Sequence, residues 1–169
     1  IFACEPEWGA LAKEITGNKA KIYVATGPNQ DAHYIRAKPS LIAKIRKADL
    51  VFCTGASLEV GWLPLLLQRG ASAEVQPGKP GYLMAADFVN TLEKPLVLDR
   101  SLGDIHPEGN PHIHLDPRNI AKLAKVLKER LSILDSKNAS FYQSRSRSFT
   151  ESWELLLAQW SKRLPNLKG

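Results

Sequence analysis

The chain has 169 residues, with 23 Lys and Arg against 17 Asp and Glu, a net charge of +6. Charged residues make up 24% and hydrophobic ones 44%, which excludes a disordered chain and suits one domain able to bury its own core. No apolar run approaches the roughly 20 residues of a membrane span. The basic residues Lys38, Lys44, Arg46 and Lys47, and Lys122, Lys125, Lys128 and Arg130, fall in two helical segments without interleaved aromatics. They read as solvated faces, so no nucleic-acid partner is expected.

The only methionine is Met84 and the chain opens at Ile1. The expectation is that a natural N-terminus, with any export signal, lies upstream. Ile1–Cys4 reads as a strand. Trp8, Leu11, Ala12 and Ile15 follow at helical spacing, and Gly17 stops that helix. Lys21–Ala25 is the second strand. Pro39-Ser40 opens a helix carrying Leu41, Ile42 and Ile45. Leu50–Cys53 is the third strand, followed by a helix from Leu58 to Leu67 that ends at Gly70. Pro95–Leu98 is expected as a fourth strand, with a weaker candidate at Tyr82–Ala85. Strands and helices alternating in this way predict an α/β fold, a parallel sheet of about four strands with flanking helices. Ligands of such sheets bind beyond the carboxyl ends of the strands.

From Asp116-Pro117, a capping carboxylate followed by proline, the pattern is helical only. Ile120, Leu123, Leu127, Leu131 and Leu134 form one apolar stripe, broken at residues 135–138. Tyr142, Phe149, Trp153, Leu156, Leu157, Trp160 and Leu164 form the next. One helix over 138–164 would be about 40 Å long, more than this sheet needs for cover. The division expected is an α/β lobe over 1–135 and a long spine helix over 136–169. Its apolar residues could pair two copies of the chain.

Cys4 and Cys53 each end an apolar strand. They could be two small core residues, or a disulfide if the strands are in-register neighbours about 4.8 Å apart. Four histidines fall in loops: His33 after the second strand, and His106, His112 and His114 ahead of the Asp116 helix. Imidazoles gathered at one sheet edge could hold Zn²⁺, or sit there as ordinary surface residues.

The stretch Gln30-Asp31-Ala32-His33-Tyr34, followed by Pro39-Ser40, resembles the first metal-ligand motif of the zinc/manganese solute-binding proteins of bacterial ABC importers. Asn110-Pro111-His112-Ile113-His114-Leu115-Asp116-Pro117 is similar to their second motif. The segment from Ala48 to Glu59, with Trp62-Leu63, resembles the strand-then-helix part of their amino-terminal lobe. The likeness runs in order from residue 1 to about 164. It departs at Ala32, where the family usually has proline, and at His114, often an aromatic. It implies that His33 and His112 are metal ligands. His114 could add a ligand or be a bystander, His106 has no counterpart in the family's motifs and stands as a further candidate, and Glu59, near the expected site, reads as a support in preference to a ligand. The likeness also implies that this is the amino-terminal lobe of a two-lobed clamp whose other lobe completes the site.

The function implied is binding of Zn²⁺, with Mn²⁺ as the alternative, in the periplasm or on a lipid anchor outside the cytoplasmic membrane. The metal would then be delivered to an ABC importer permease, and no enzymatic activity is expected. Two rival readings stand beside it. One is a nucleotide-binding domain or enzyme on a doubly wound sheet, although the Gly55–Gly61 stretch has neither G-x-G-x-x-G nor the Walker lysine. The other is a metal-buffering or adhesin-like surface protein on the same fold.

Overall fold

A computed structural model describes residues 1–97 and 105–164. Four short strands, β1 (Phe2–Ala3), β2 (Tyr23–Val24), β3 (Val51–Cys53) and β4 (Tyr82–Met84), form one parallel sheet in the order β2-β1-β3-β4. Among the described residues, α1 (Pro6–Thr16), α2 (Pro39–Ile45), α3 (Leu63–Gly70) and α4 (Pro117–Leu134) flank it, and α5 (Ala139–Arg163) packs on α4 and α1. The α/β class and the long carboxyl-terminal helix are as the sequence indicates.

Alternation along the strands divides the core into two layers, because successive side chains leave a strand on opposite faces. Ala3, Leu50, Phe52 and Leu83 pack against Trp8, Leu11 and Ile15 of α1 and Leu123, Leu127 and Leu131 of α4. Phe2, Cys4, Val51, Cys53 and Met84 pack on the other face against Leu41 and Ile45 of α2 and Leu63, Leu66 and Leu67 of α3. Phe2 pairs with Val51 and Ala3 with Phe52, so Cys4 and Cys53 come next in the same register. They are joined as a disulfide with their Cα atoms 4.8 Å apart.

The carboxyl-terminal helices form an antiparallel hairpin. Ser146 Oγ donates to the Ala124 carbonyl, and further along α5 the Trp153 indole donates to the Pro117 carbonyl at the start of α4. The turn between them is fixed by Asp135, which accepts from the Tyr142 hydroxyl at 2.6 Å and from Asn138 at 2.7 Å. The first half of α5 is therefore part of the lobe's own packing, with Tyr142, Ser146 and Thr150 buried. Its last turns expose Leu155, Leu156 and Trp160, followed by Leu164.

Two expectations are corrected. Pro95–Leu98 is not the fourth strand: residues 95–97 take no strand conformation, and Leu98 lies outside the described residues. Leu96 and Val97 stand exposed, so the apolar run finds no buried face on the sheet to hold it as a strand. The weaker candidate supplies β4 instead, since Leu83 and Met84 each enter one of the two core layers. The helix expected from Leu58 begins only at Leu63: residues 56–62 run as consecutive turns, and Trp62 at the N-cap has a non-helical φ of −143°.

Leu127 is fully buried between α1, α4 and the sheet. Leu127→Ala should cost about 2–5 kcal/mol of stability, read as a lower urea midpoint at unchanged slope.

Candidate metal centre

All the loops that matter leave the carboxyl edge of the sheet. The loop after β2 carries His33. Asp31 caps the single 3-10 turn Ala32–Tyr34, accepting from the His33 backbone N–H at 2.9 Å and lying 2.6 Å from its Nδ1. Those contacts hold the Asp31 carboxyl below its usual range, the backbone hydrogen bond first and the imidazole second. The buried Trp62 fixes the same turn from beneath, its indole N–H donating to the Ala32 carbonyl at 2.7 Å.

The segment after β4 returns under the cavity through a tight junction. Asn110 N–H donates to the Leu92 carbonyl, and the Thr91 hydroxyl donates to the Glu108 carbonyl. Gly109 has φ +102°, and a Cβ there would lie 2.6 Å from the Leu92 oxygen, so only glycine fits. Asn110 then accepts from the His112 N–H at 2.9 Å and donates to Glu93 at 2.7 Å.

These loops border an open pocket of about 360 Å³ lined by His33, His106 and His112 together with Glu93, Ile105 and Asn110. The structure thus brings His33 and His112 to one cavity, as expected, and adds His106. The His33 and His106 Nε2 atoms are 3.0 Å apart. His106 Nδ1 lies 2.7 Å from the Ala56 carbonyl. That carbonyl is aimed by the left-handed residues Gly55, Ala56 and Ser57, of which the two bearing a Cβ cost on the order of 1–3 kcal/mol each. Sequence reasoning left Ala56 and the orienting role of Asp31 unassigned. The Asp two residues ahead of a histidine is a legible turn signal, whereas the Ala56 carbonyl has none.

His114 is turned away from the cavity. It meets Trp8 edge-on and approaches Glu7 at 3.2 Å without hydrogen-bond geometry. Glu59 is also committed elsewhere. Buried, it accepts from the backbone N–H groups of Thr54 at 2.7 Å and Gly55 at 3.0 Å. Those are the amides a phosphate would need after β3, so no anion cradle is open there. Sγ of Cys4, Sγ of Cys53 and a Glu59 oxygen also lie within 4.8 Å of one another, but the sulfurs are bonded together and offer no thiolate.

Glu5 joins Glu59 around Thr54, whose backbone N–H and hydroxyl lie 3.3 and 3.1 Å from Glu5 Oε2. Burial, then the charge of Glu59, pushes the Glu5 carboxyl up; burial also raises Glu59, against the hydrogen bonds from Thr54 and Gly55. Glu5 Oε1 is buried and makes no hydrogen bond within the described residues.

The family model described as "Zinc-uptake complex component A periplasmic" matches residues 1–169. Among curated proteins, the chain is 29% identical over 146 residues to the metal ABC transporter substrate-binding lipoprotein SloC of Streptococcus mutans, covering 86% of this chain and 45% of that protein. It is 28% identical to the manganese ABC transporter substrate-binding lipoprotein PsaA of Streptococcus pneumoniae, covering 83% and 43%. The chain therefore spans about half the length of the curated relatives it matches. Among solved structures, a zinc-bound deletion mutant of ZnuA superposes with a TM-score of 0.79 at 21% identity, over 99% of this chain and 58% of that one. A manganese-bound periplasmic metal-binding protein from Candidatus Liberibacter asiaticus does so at 0.70 and 20%, over 89% and 51%. These likenesses show that the fold is shared.

The raised Glu5 and Glu59 carboxyls have a consequence for stability. A carboxyl raised in the folded state keeps a proton that the unfolded chain has lost, so its stabilisation is whole below the ordinary carboxylate range and is lost as pH rises from there toward the raised value, about 9 for Glu5. A urea series from pH 5 to 8 should show that decline, at up to about 1.4 kcal/mol per pH unit. Glu5→Gln, neutral at every pH, should flatten it.

Proposed function

The chain belongs to the family of periplasmic zinc-uptake component A proteins, and from that premise we propose that it binds a divalent transition metal, Zn²⁺ ahead of Mn²⁺, through His33 and His112. The metal is cargo. It is held outside the cytoplasmic membrane, in the periplasm or on a lipid-anchored protein, and passed to the permease of an ABC importer. The observation that carries this reading is the orientation of His33. Its Nδ1 is fixed by Asp31 and its Nε2 faces a cavity that His112 also lines. A carboxylate behind an imidazole sets the tautomer and raises the basicity of the nitrogen that meets the metal.

Imidazole donors support the choice of Zn²⁺, since nitrogen ligands suit it and Mn²⁺ prefers oxygen. The manganese named for PsaA and for the Liberibacter structure supports testing Mn²⁺ beside it. Two imidazoles leave positions of a tetrahedral ion open, which agrees with ligands arriving from outside these residues. Holding and releasing an ion requires no nucleophile or general base, so no enzymatic step is assigned. Pairing of two copies through the helix at 138–164 rests only on the exposed apolar turns of α5 and forms no part of this function.

Titration calorimetry with Zn²⁺ and Mn²⁺ salts tests the site. His33→Ala and His112→Ala should each weaken zinc binding by about tenfold or more. Zinc binding at full strength in the double variant would refute it.

A further inference from the structure

We propose that His106 is a metal ligand supplied by this chain, closing with His33 a two-imidazole clamp that turns the site toward Zn²⁺ and away from Mn²⁺. The proposal rests on the metal-binding reading above and adds to it a ligand and a source of selectivity.

The argument is one of proton inventory. His33 Nδ1 faces an Asp31 carboxylate oxygen at 2.6 Å, and His106 Nδ1 faces the Ala56 carbonyl oxygen at 2.7 Å. Neither oxygen can donate, so both Nδ1 atoms carry the ring hydrogen. When each ring is neutral, its one N–H is the one on Nδ1, and both Nε2 atoms present lone pairs. Those two atoms point at each other across 3.0 Å, with the rings tilted by 50°. Opposed lone pairs repel unless a cation lies between them. Zinc with Zn–N distances of 2.0–2.1 Å sets its tetrahedral nitrogens about 3.3 Å apart, a few tenths of an ångström from the spacing found. Each ring also has the backing a metal-bound histidine usually has, a carboxylate in one case and a backbone carbonyl in the other.

The support for His106 is built into the fold. Three successive left-handed residues, Gly55 to Ser57, turn the Ala56 carbonyl toward it, and the Ser57 hydroxyl donates to Glu108 at 2.9 Å two residues further on. The loop is thus strapped on both sides of Pro107. A strap alone would not require His106 Nε2 to face His33. A further imidazole in place of an oxygen donor favours Zn²⁺ over Mn²⁺, which gives His106 its effect on selectivity.

The test uses the chain with Zn²⁺ or Mn²⁺ alone. In long-range ¹H–¹⁵N spectra of the unsubstituted chain, zinc should move the His106 Nε2 resonance to a metal-bound position while Nδ1 keeps its hydrogen. His106→Ala and His106→Gln should weaken zinc by about tenfold or more and change manganese distinctly less. An unmoved His106 Nε2, with zinc affinity kept in both His106 variants but lost in His33→Ala, would overturn the proposal and leave metal binding at His33 standing. That outcome would make the His33–His106 contact a shared proton. Equal losses for the two metals would overturn the selectivity. Zinc binding unaffected in His33→Ala, His106→Ala and His112→Ala alike would sink the metal-binding reading itself. Because the spectra are read on the unsubstituted chain, a variant that fails to fold does not remove the test.

Discussion

Thr54, at the carboxyl end of β3, ties the sheet, both core layers and the metal-facing loops together. Its hydroxyl accepts from the Trp8 indole of α1 and donates to Glu5 after β1, while its backbone N–H meets Glu59 ahead of α3. The Cys4–Cys53 disulfide lies one residue behind it and fixes the two central strands against each other. All of these groups are buried. A buried polar cluster fixes its geometry through the hydrogen bonds its members make, and here Thr54 makes them to both carboxyl groups. Gly55 and Ala56 leave this cluster in the left-handed conformation that presents the Ala56 carbonyl to His106. The placement of a loop imidazole thus depends on hydrogen bonds made deep between the strands.

The same arrangement explains why the β3 loop does not serve as a phosphate site. In a doubly wound sheet the free amides after a central strand are the natural anion cradle. Here the Glu59 carboxylate occupies the amides of Thr54 and Gly55. The proposed ligand position lies outward, in the cavity between the loops that follow β2 and β4. Imidazoles collect there, with Asp31 behind His33 and the Ala56 carbonyl behind His106. Such a donor set suits an ion with a preference for nitrogen.

Much of this was legible in the sequence. The alternation of Phe2, Ala3 and Cys4, and of Val51, Phe52 and Cys53, is a sheet buried on both sides. The Asp116-Pro117 start and the Leu123–Leu127–Leu131 stripe define α4 without ambiguity. His33 and His112 share a cavity because their motifs sit on loops at the same edge of a parallel sheet. The strand expected at Pro95–Leu98 failed because local apolar character does not say whether the sheet has a place for it. His106 carried no motif at all: its position depends on an Ala56 carbonyl 50 residues away, a contact that spacing along the chain does not reveal. Glu59 reads in sequence as a support near the site in preference to a ligand, and the form of that support, burial against two backbone amides, is a tertiary fact.

The central claim is that a metal bound by this chain is held by loop imidazoles and not by the sulfur and carboxylate groups clustered at Cys4, Cys53 and Glu59. X-ray absorption at the zinc edge of the zinc-loaded chain tests this most directly. Nitrogen scatterers at about 2.0–2.1 Å with the outer-shell pattern of at least two imidazoles are predicted. A shell containing sulfur at about 2.3 Å, or one of oxygen alone without imidazole scattering, would contradict it.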